Sequence, residues 1–381
     1  MAGKMGRVQF ALRSFVFVLI MDCSAASINF IQYPGLLLAL ASRHAYRQYI
    51  QQTQALFGSL IVLLTYLFTP VEIVVTGDHA ALDANALAVV MANHQIYSDW
   101  WWLWILAWHK NAHGCLKIIL KQSLKYLPVF GWGMQFFEFI FLARKWAVDR
   151  AMMSKILHRA LSDKLPLWLV IFPEGTVITD DTKGKTRAYA KKMDIPDDPQ
   201  FVLIPKSTGL FFCLKNLQPD ARYLWDITMG YEGLNGDQTP YEVYSLSRVF
   251  FEARGPERVH MHVQKFVVAS LPGFESAASM NTPRDEDVNA TADEASGDEE
   301  RTERFTLWLR KRFLEKDQLM AEFYKTGRFP RGATADSDQG SSDATLPLII
   351  RPKPNFRDWA SLGTVVGVGF WAATRLWSWW I

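Results

Sequence analysis

Ala84-Asn85-Ala86-Leu87-Ala88-Val89-Val90-Met91-Ala92-Asn93-His94-Gln95-Ile96-Tyr97-Ser98-Asp99 is the stretch whose reading decides the fold. Residues 84–91 form an apolar run of strand length, the pattern of a strand covered on both faces. Ala92-Asn93 ends it, His94 falls on the turn, and Asp99 opens a Trp-rich helical run. Similar apolar runs of strand length alternate with helical stretches between residues 75 and 265. That alternation predicts an α/β fold, a mostly parallel central sheet surrounded by helices.

His94 and Asp99 also make a chemical pair. Histidine is the natural base near neutral pH, and a carboxylate fixes its tautomer and stabilises the imidazolium. Five positions apart, the two would lie roughly 140° from each other on a regular helix. They meet only if His94 is on a loop and Asp99 is in the first turn of the next helix. A carboxylate there is also favoured by the helix dipole.

Other blocks follow in order. Lys121-Gln122-Ser123-Leu124-Lys125-Tyr126-Leu127-Pro128-Val129-Phe130-Gly131-Trp132-Gly133 precedes Phe139-Ile140-Phe141-Leu142-Ala143-Arg144, a hydrophobic strand ending in arginine. Arg144 can grip a phosphate with two parallel hydrogen bonds, and Lys121 can add a second positive charge. A solvated surface is the ordinary fate of such residues. The apolar run Leu165-Pro166-Leu167-Trp168-Leu169-Val170-Ile171 leads into Phe172-Pro173-Glu174-Gly175-Thr176. Pro173 ends that strand, Gly175 lets backbone approach a ligand, and Glu174 can accept hydrogen bonds from hydroxyls. Phe201-Val202-Leu203-Ile204-Pro205-Lys206-Ser207-Thr208-Gly209 reads as a further buried strand closed by Pro205.

These blocks resemble those of the glycerolipid acyltransferases of the lysophosphatidic acid acyltransferase family, over residues 75 to 265, about half the chain. Arg144-Lys145-Trp146 and Pro205-Lys206-Ser207-Thr208-Gly209 are most similar to the lysocardiolipin and lysophosphatidylinositol acyltransferase branch. The resemblance implies transfer of an acyl group from acyl-CoA, a co-substrate, to a lysophospholipid hydroxyl at a lipid bilayer. It implies His94 and Asp99 as the catalytic pair, with His94 deprotonating the acceptor hydroxyl and Asp99 orienting it. The attack is then direct, without an acyl-enzyme. Lys121 and Arg144 would hold phosphate, and Glu174, Gly175, Thr176 and Pro205 would bind substrate. No cofactor and no metal are implied. Many members carry Arg or Ser directly after the threonine, whereas this chain has Val177. An endoplasmic reticulum membrane with the catalytic domain in the cytosol also follows from the family.

Other chemistries are disfavoured by what is missing. No Gly-x-Ser-x-Gly elbow of a serine hydrolase occurs. Cys23, Cys115 and Cys213 lie in no motif, give no disulfide framework and fit a reducing compartment. His260 and His262 alternate on an expected strand, residues 258–263, but further metal ligands are lacking. No internal repeat and no nucleic-acid motif is present. Two rivals stay open: a coenzyme A-independent transacylase using the same pair, and a non-catalytic membrane protein with a decayed domain.

The flanks place the reaction. Residues 14–21 and 28–41 form an apolar tract interrupted by Asp22 and Pro34-Gly35, and residues 56–68 form a second one. The second is short of the roughly twenty residues of a simple span. A cleaved signal peptide is not expected from the first. Residues 361–381 read as a C-terminal membrane helix in which Arg375 snorkels and Trp377, Trp379 and Trp380 sit at the interface. Trp100, Trp101, Trp102, Trp104 and Trp108 are expected at an interfacial surface or an acyl groove. Lys117, Lys121 and Lys125 would share a helix face, and Lys183, Lys185, Arg187, Lys191 and Lys192 form a second basic stretch. Both suit anionic headgroups or the phosphates of coenzyme A.

The net charge is +3, and its distribution divides the chain. The expected organisation is N-terminal membrane-inserted helices (1–74), a catalytic domain (75–272), an acidic disordered linker (273–303), an amphipathic helix (304–330), a flexible linker (331–357) and a C-terminal membrane anchor (358–381). Phe305, Trp308, Leu309 and Phe313 mark the apolar side of the amphipathic helix. Asn289-Ala290-Thr291 is a glycosylation sequon in form only, on a linker expected in the cytosol.

Overall fold

A computed structural model describes residues 6–196, 198–275, 292–330 and 346–380. Three helices, α1 (Arg7–Gln32), α2 (Gly35–Ala41) and α3 (Arg43–Phe68), precede the sheet. There follow β1 (Glu72–Gly77), β2 (Leu87–Ala92), α4 (Asp99–His109), β3 (Leu116–Lys121), α5 (Phe130–Phe136), β4 (Ile140–Leu142), α6 (Trp146–Asp163) and β5 (Leu167–Ile171). The second half holds α7 (Asp180–Lys192), α8 (Ser207–Leu217), β6 (Tyr223–Tyr231), α9 (Pro240–Val243), β7 (Arg258–Val267), α10 (Ala292–Thr326), β8 (Leu348–Ile350) and α11 (Phe356–Trp380).

The strands form one sheet in the order β4-β3-β5-β2-β6-β7-β1-β8. The pairs β4–β3, β3–β5, β5–β2, β2–β6 and β7–β1 are parallel, and β6–β7 and β1–β8 are antiparallel. This is the α/β class expected. Successive side chains of a strand point to opposite faces, so β2 feeds two cores. Ala88, Val90 and Ala92 pack with α1, α3 and α4, whereas Val89 and Met91 pack with α6, α8 and α10.

The tryptophans of α4 depart from expectation. Trp101, Trp102 and Trp104 are buried in the first core rather than presented to an interface or groove, because α4 lies against α3. Trp100 and Trp108 are half-buried beside them. Lys117, Lys121 and Lys125 do not share a helix face. Lys117 and Lys121 are in β3 and Lys125 is in the 3₁₀ turn Gln122–Tyr126. Lys117 is buried and pairs with Glu138 at 3.0 Å; burial, with Arg47 nearby, pushes its amine down to about 7, Glu138 opposing. Residues 201–205 form no strand, and Phe201 and Val202 lie in a bend. On the parallel sheet β5 is already flanked by β3 and β2, and the N–H groups of Phe201 and Leu203 are taken by carboxylates instead.

The apolar tract at 56–68 is the end of a helix of 26 residues. Among the described residues, two helical stretches, Arg7–Ala41 and Arg43–Phe68, are long and apolar enough to cross a membrane, by length and composition only. α11 is not one of them. It packs against α1 and α3, and its buried Asp358 accepts from Ser59 Oγ (2.6 Å) and Trp108 Nε1 (3.2 Å). The side chains of Trp377, Trp379 and Trp380 lie outside those described, as do Asn289, Ala290, Thr291 and most of both expected linkers.

The amphipathic helix is longer than expected, beginning at Ala292 inside the expected acidic linker. Its Phe305, Leu309 and Phe313 are buried and Trp308 packs beside them. It belongs to the second core. Polar contacts fix it too: the fully buried Lys316 Nζ donates to Ile227 O (2.8 Å) and Thr228 Oγ1 (3.2 Å) and pairs with Asp226. Arg312 Nη2 reaches the same Asp226 at 3.1 Å.

Candidate active site

Met91 of β2 is paired with Ile171 of β5, and each strand runs on by three residues to a polar side chain, His94 and Glu174. Because β4, β3, β5 and β2 are parallel neighbours, their carboxyl ends lie on one edge. Arg144, Glu174 and His94 follow the ends of β4, β5 and β2, and Lys121 is the last residue of β3. The carboxyl edge of a parallel sheet is where α/β proteins place ligands.

His94 Nδ1 lies 2.8 Å from Asp99 Oδ2. Asp99 is the first residue of α4, so the loop and first-turn geometry read from the spacing is the one found. The same Oδ2 accepts from the N–H of Gln95 (2.7 Å) and of Ile96 (3.1 Å), and Oδ1 accepts from the Tyr231 hydroxyl. Asp99 is fully buried, whereas the His94 side chain is 15% exposed. With three backbone or ring donors and a phenol around it, the carboxylate is held in place. Burial and Asp99 together push the Tyr231 phenol well above its ordinary value, so it stays a donor. The His94 ring stacks on Phe172, centroids 4.3 Å apart. Among the described residues nothing hydrogen-bonds its Nε2. That nitrogen is therefore available as a base, with the other held by a carboxylate.

The loop is pinned on every side. Asn93 Nδ2 donates to Met229 O (3.0 Å) and its Oδ1 accepts from Met229 N–H (2.7 Å), extending the β2–β6 contact by a side chain. Ile178 N–H donates to His94 O at 3.0 Å. Gln95 Nε2 donates to Phe201 O at 2.8 Å.

Glu174 behaves differently from the expectation of a substrate ligand. Its Oε1 accepts from His94 N–H (2.7 Å) and its Oε2 from Leu203 N–H (2.9 Å), and the side chain is buried. Both oxygens thus brace protein loops. Burial pushes the carboxyl up to about 8, against the pull of the two N–H groups. Gly175, at φ +71°, needs the freedom of glycine, and Arg144 also adopts a left-handed conformation, φ 63°. Arg144 Nη2 donates to Gly175 O at 3.1 Å, so the guanidinium reaches past β3 to the loop after β5. Lys121 is exposed and has no acidic partner among the described residues. Thr176 is half-buried, Val177 is in the core, and Pro205 is buried next to exposed Lys206, whose N–H donates to Pro173 O at 2.8 Å. The Lys206 Nζ would lie 3.6 Å from a Cβ at Gly175. Arg144, Lys121 and Lys206 make this edge cationic beside His94.

Tyr231 gave no functional signal in the sequence, and Gln95 and Lys206 lay inside resembling blocks without a role of their own. Tyr231 closes an apolar strand 132 residues after its partner Asp99, and nothing local marks that contact.

Comparison with known proteins identifies the family. The Acyltransferase family matches residues 72–228, from β1 into β6, and the Acyltransferase C-terminus family matches residues 298–350, from α10 to β8. An uncharacterised acyltransferase of Schizosaccharomyces pombe is 32% identical over 84% of this chain and 87% of its own. A 2-acyl-1-lysophosphatidylinositol acyltransferase of Saccharomyces cerevisiae is 30% identical over 74% of this chain and 76% of its own. Lysocardiolipin acyltransferase 1 of Danio rerio is 32% identical over 82% of this chain and 71% of its own. On matches of this extent, the chain belongs to the lysophosphatidic acid acyltransferase-like family of glycerolipid acyltransferases.

Proposed function

We propose that the protein is a membrane-bound, acyl-CoA-dependent lysophospholipid O-acyltransferase that works by His–Asp general-base catalysis. The observation that carries this is the 2.8 Å contact of His94 Nδ1 with Asp99, which leaves Nε2 without a partner among the described residues. In the reaction, Nε2 takes the proton of the acceptor hydroxyl as its oxygen attacks the thioester carbonyl. The tetrahedral intermediate collapses with loss of the coenzyme A thiolate, which takes the proton back from the imidazolium. Asp99 stabilises the imidazolium. Arg144 and Lys121, joined by Lys206, hold an anionic headgroup, while Gly175 and Thr176 shape the acceptor site and Glu174 braces it. The relatives named for lysophosphatidylinositol and lysocardiolipin favour an acidic lysophospholipid as acceptor. The apolar stretches 7–41 and 43–68 suit a protein seated in a bilayer, and the family resemblance favours the endoplasmic reticulum with the sheet on the cytosolic side.

The test is labelled oleoyl-CoA offered with a panel of lysophospholipids to membranes carrying wild type or His94→Ala. Wild type is expected to label one acceptor class, and the variant to fall about a hundredfold or more, the size of a general-base contribution. Labelling from a phospholipid donor without acyl-CoA would move the transacylase ahead. An unimpaired His94→Ala enzyme would end the general-base mechanism.

A further inference from the structure

The segment 201–203 touches the site from two directions. Phe201 O accepts from Gln95, the neighbour of His94, and Leu203 N–H donates to Glu174, whose other oxygen holds the His94 N–H. The segment has no place in the sheet to fix it. What fixes it is α10: Asp317 Oδ1 accepts from Phe201 N–H at 2.6 Å. The residue just before, Lys316, is the fully buried lysine anchored on Ile227 O and Thr228 of β6, and Arg312 one turn earlier is anchored on Asp226. Asp317 therefore sits on a helix whose height along the sheet is set by charge pairs buried beneath it. A helix held only by apolar contacts slides more easily, because apolar packing is non-directional.

We infer that Asp317 is a positioning residue for the reaction, holding segment 201–203 so that Gln95 and Glu174 present His94 at the right place. Asp317 touches no reacting atom. It acts through Phe201 to Gln95 on one branch, and through Leu203 and Glu174 to the His94 backbone on the other. α10, most of which falls in the Acyltransferase C-terminus match, thereby supports the site rather than being an appendage to it. The inference rests on the reading of His94 as the base.

Steady-state kinetics of full-length Asp317→Ala and Asp317→Asn test it. Asn keeps an acceptor oxygen at the same distance from the backbone, and its kcat is expected within about threefold of wild type, because the hydrogen bond survives. Ala is expected to lower kcat about tenfold to a hundredfold, the cost of a displaced catalytic group, with both KM values within about twofold. A role confined to stability would lower the folded fraction and leave kcat per folded molecule unchanged, so each kcat is normalised to the folded fraction measured by circular dichroism. A folded Asp317→Ala enzyme with wild-type kcat overturns the inference. Should the Ala variant not accumulate, Asp317→Glu keeps the charge but moves the carboxylate outward by one methylene. Its kcat is expected to fall about tenfold for the same geometric reason, and a wild-type kcat there overturns the inference equally. His94→Ala measured in parallel separates the two readings. Activity retained in that variant removes the base itself, whereas an inactive His94→Ala beside a fully active Asp317→Ala removes only the positioning role.

Discussion

The backbone N–H of His94 donates to Oε1 of Glu174 at 2.7 Å, across a separation of 80 positions in the chain. With Leu203 N–H on Oε2, one buried carboxyl ties the loop after β2 to the loop after β5 and to residues 201–203. The glutamate of the Phe172–Thr176 block thus acts on the protein's own backbone.

Replacing Glu174 by Gln leaves one acceptor oxygen where two N–H groups need one. The expected cost is about 1–3 kcal/mol of stability, the penalty of a buried donor without a partner. Its pH dependence has a definite sign. The carboxyl is raised from 4.5 to about 8, so the folded state keeps a proton that the unfolded chain releases. Its contribution is complete below the ordinary value and is lost as pH rises through about 8. Thermal unfolding midpoints of wild type and Glu174→Gln, taken between pH 5.5 and 9, should show the wild-type advantage narrowing with rising pH. A widening advantage would mean that the ionised carboxylate is the favoured form.

Asp99→Asn separates charge from geometry. The amide oxygen can replace Oδ2 and keep the three donors on that side, and the NH₂ group then faces Tyr231, whose hydroxyl can turn to accept. Fold and histidine tautomer survive, and the charge that stabilises the imidazolium is lost. We expect kcat to fall by about 10²–10³, less than the roughly 10⁴ found where the tautomer is also inverted. An Asn enzyme within about threefold of wild type would show that imidazolium stabilisation contributes little.

Cys23 reports on the seating of α1. Cys115 and Cys213 are buried, whereas Cys23 is exposed near the middle of an apolar helix. In intact membranes neither a lipid-soluble nor a charged maleimide is expected to label Cys23 until detergent unfolds the protein, because maleimides attack the thiolate, which forms in water and not in hydrocarbon. Labelling by the charged reagent would place that surface in water and argue against insertion of α1.

Much of the site was legible because its residues are close in sequence. The strand, loop and helix around His94 and Asp99 are local, and spacing alone specified how the two would meet. Four of the five blocks also mapped onto neighbouring strand ends, since parallel strands collect their carboxyl ends on one edge. What could not be read depends on distant partners. The oxygens of Glu174 looked free until its backbone donors were in place, and Tyr231 is an ordinary strand residue until it faces Asp99. Residues 201–205 have the composition of a strand, but the sheet has no vacant edge beside β5. The tryptophans of α4 suggested an interface, yet α3 covers them. In each case tertiary packing decided between two locally reasonable outcomes.

β1 sits between β7 and β8, with Ile73 opposite Val259 on one side and Ile350 on the other. Its partners are thus made some 180 and 270 residues after it. On a growing polypeptide, the first strand of the sheet waits with both edges bare until β7 is made, and with one edge bare until β8. Sheets closed by such long-range pairing form slowly and are open to wrong association meanwhile. The yield of this protein in a cell should therefore depend on elongation rate and chaperone supply more than on the stability of the finished molecule.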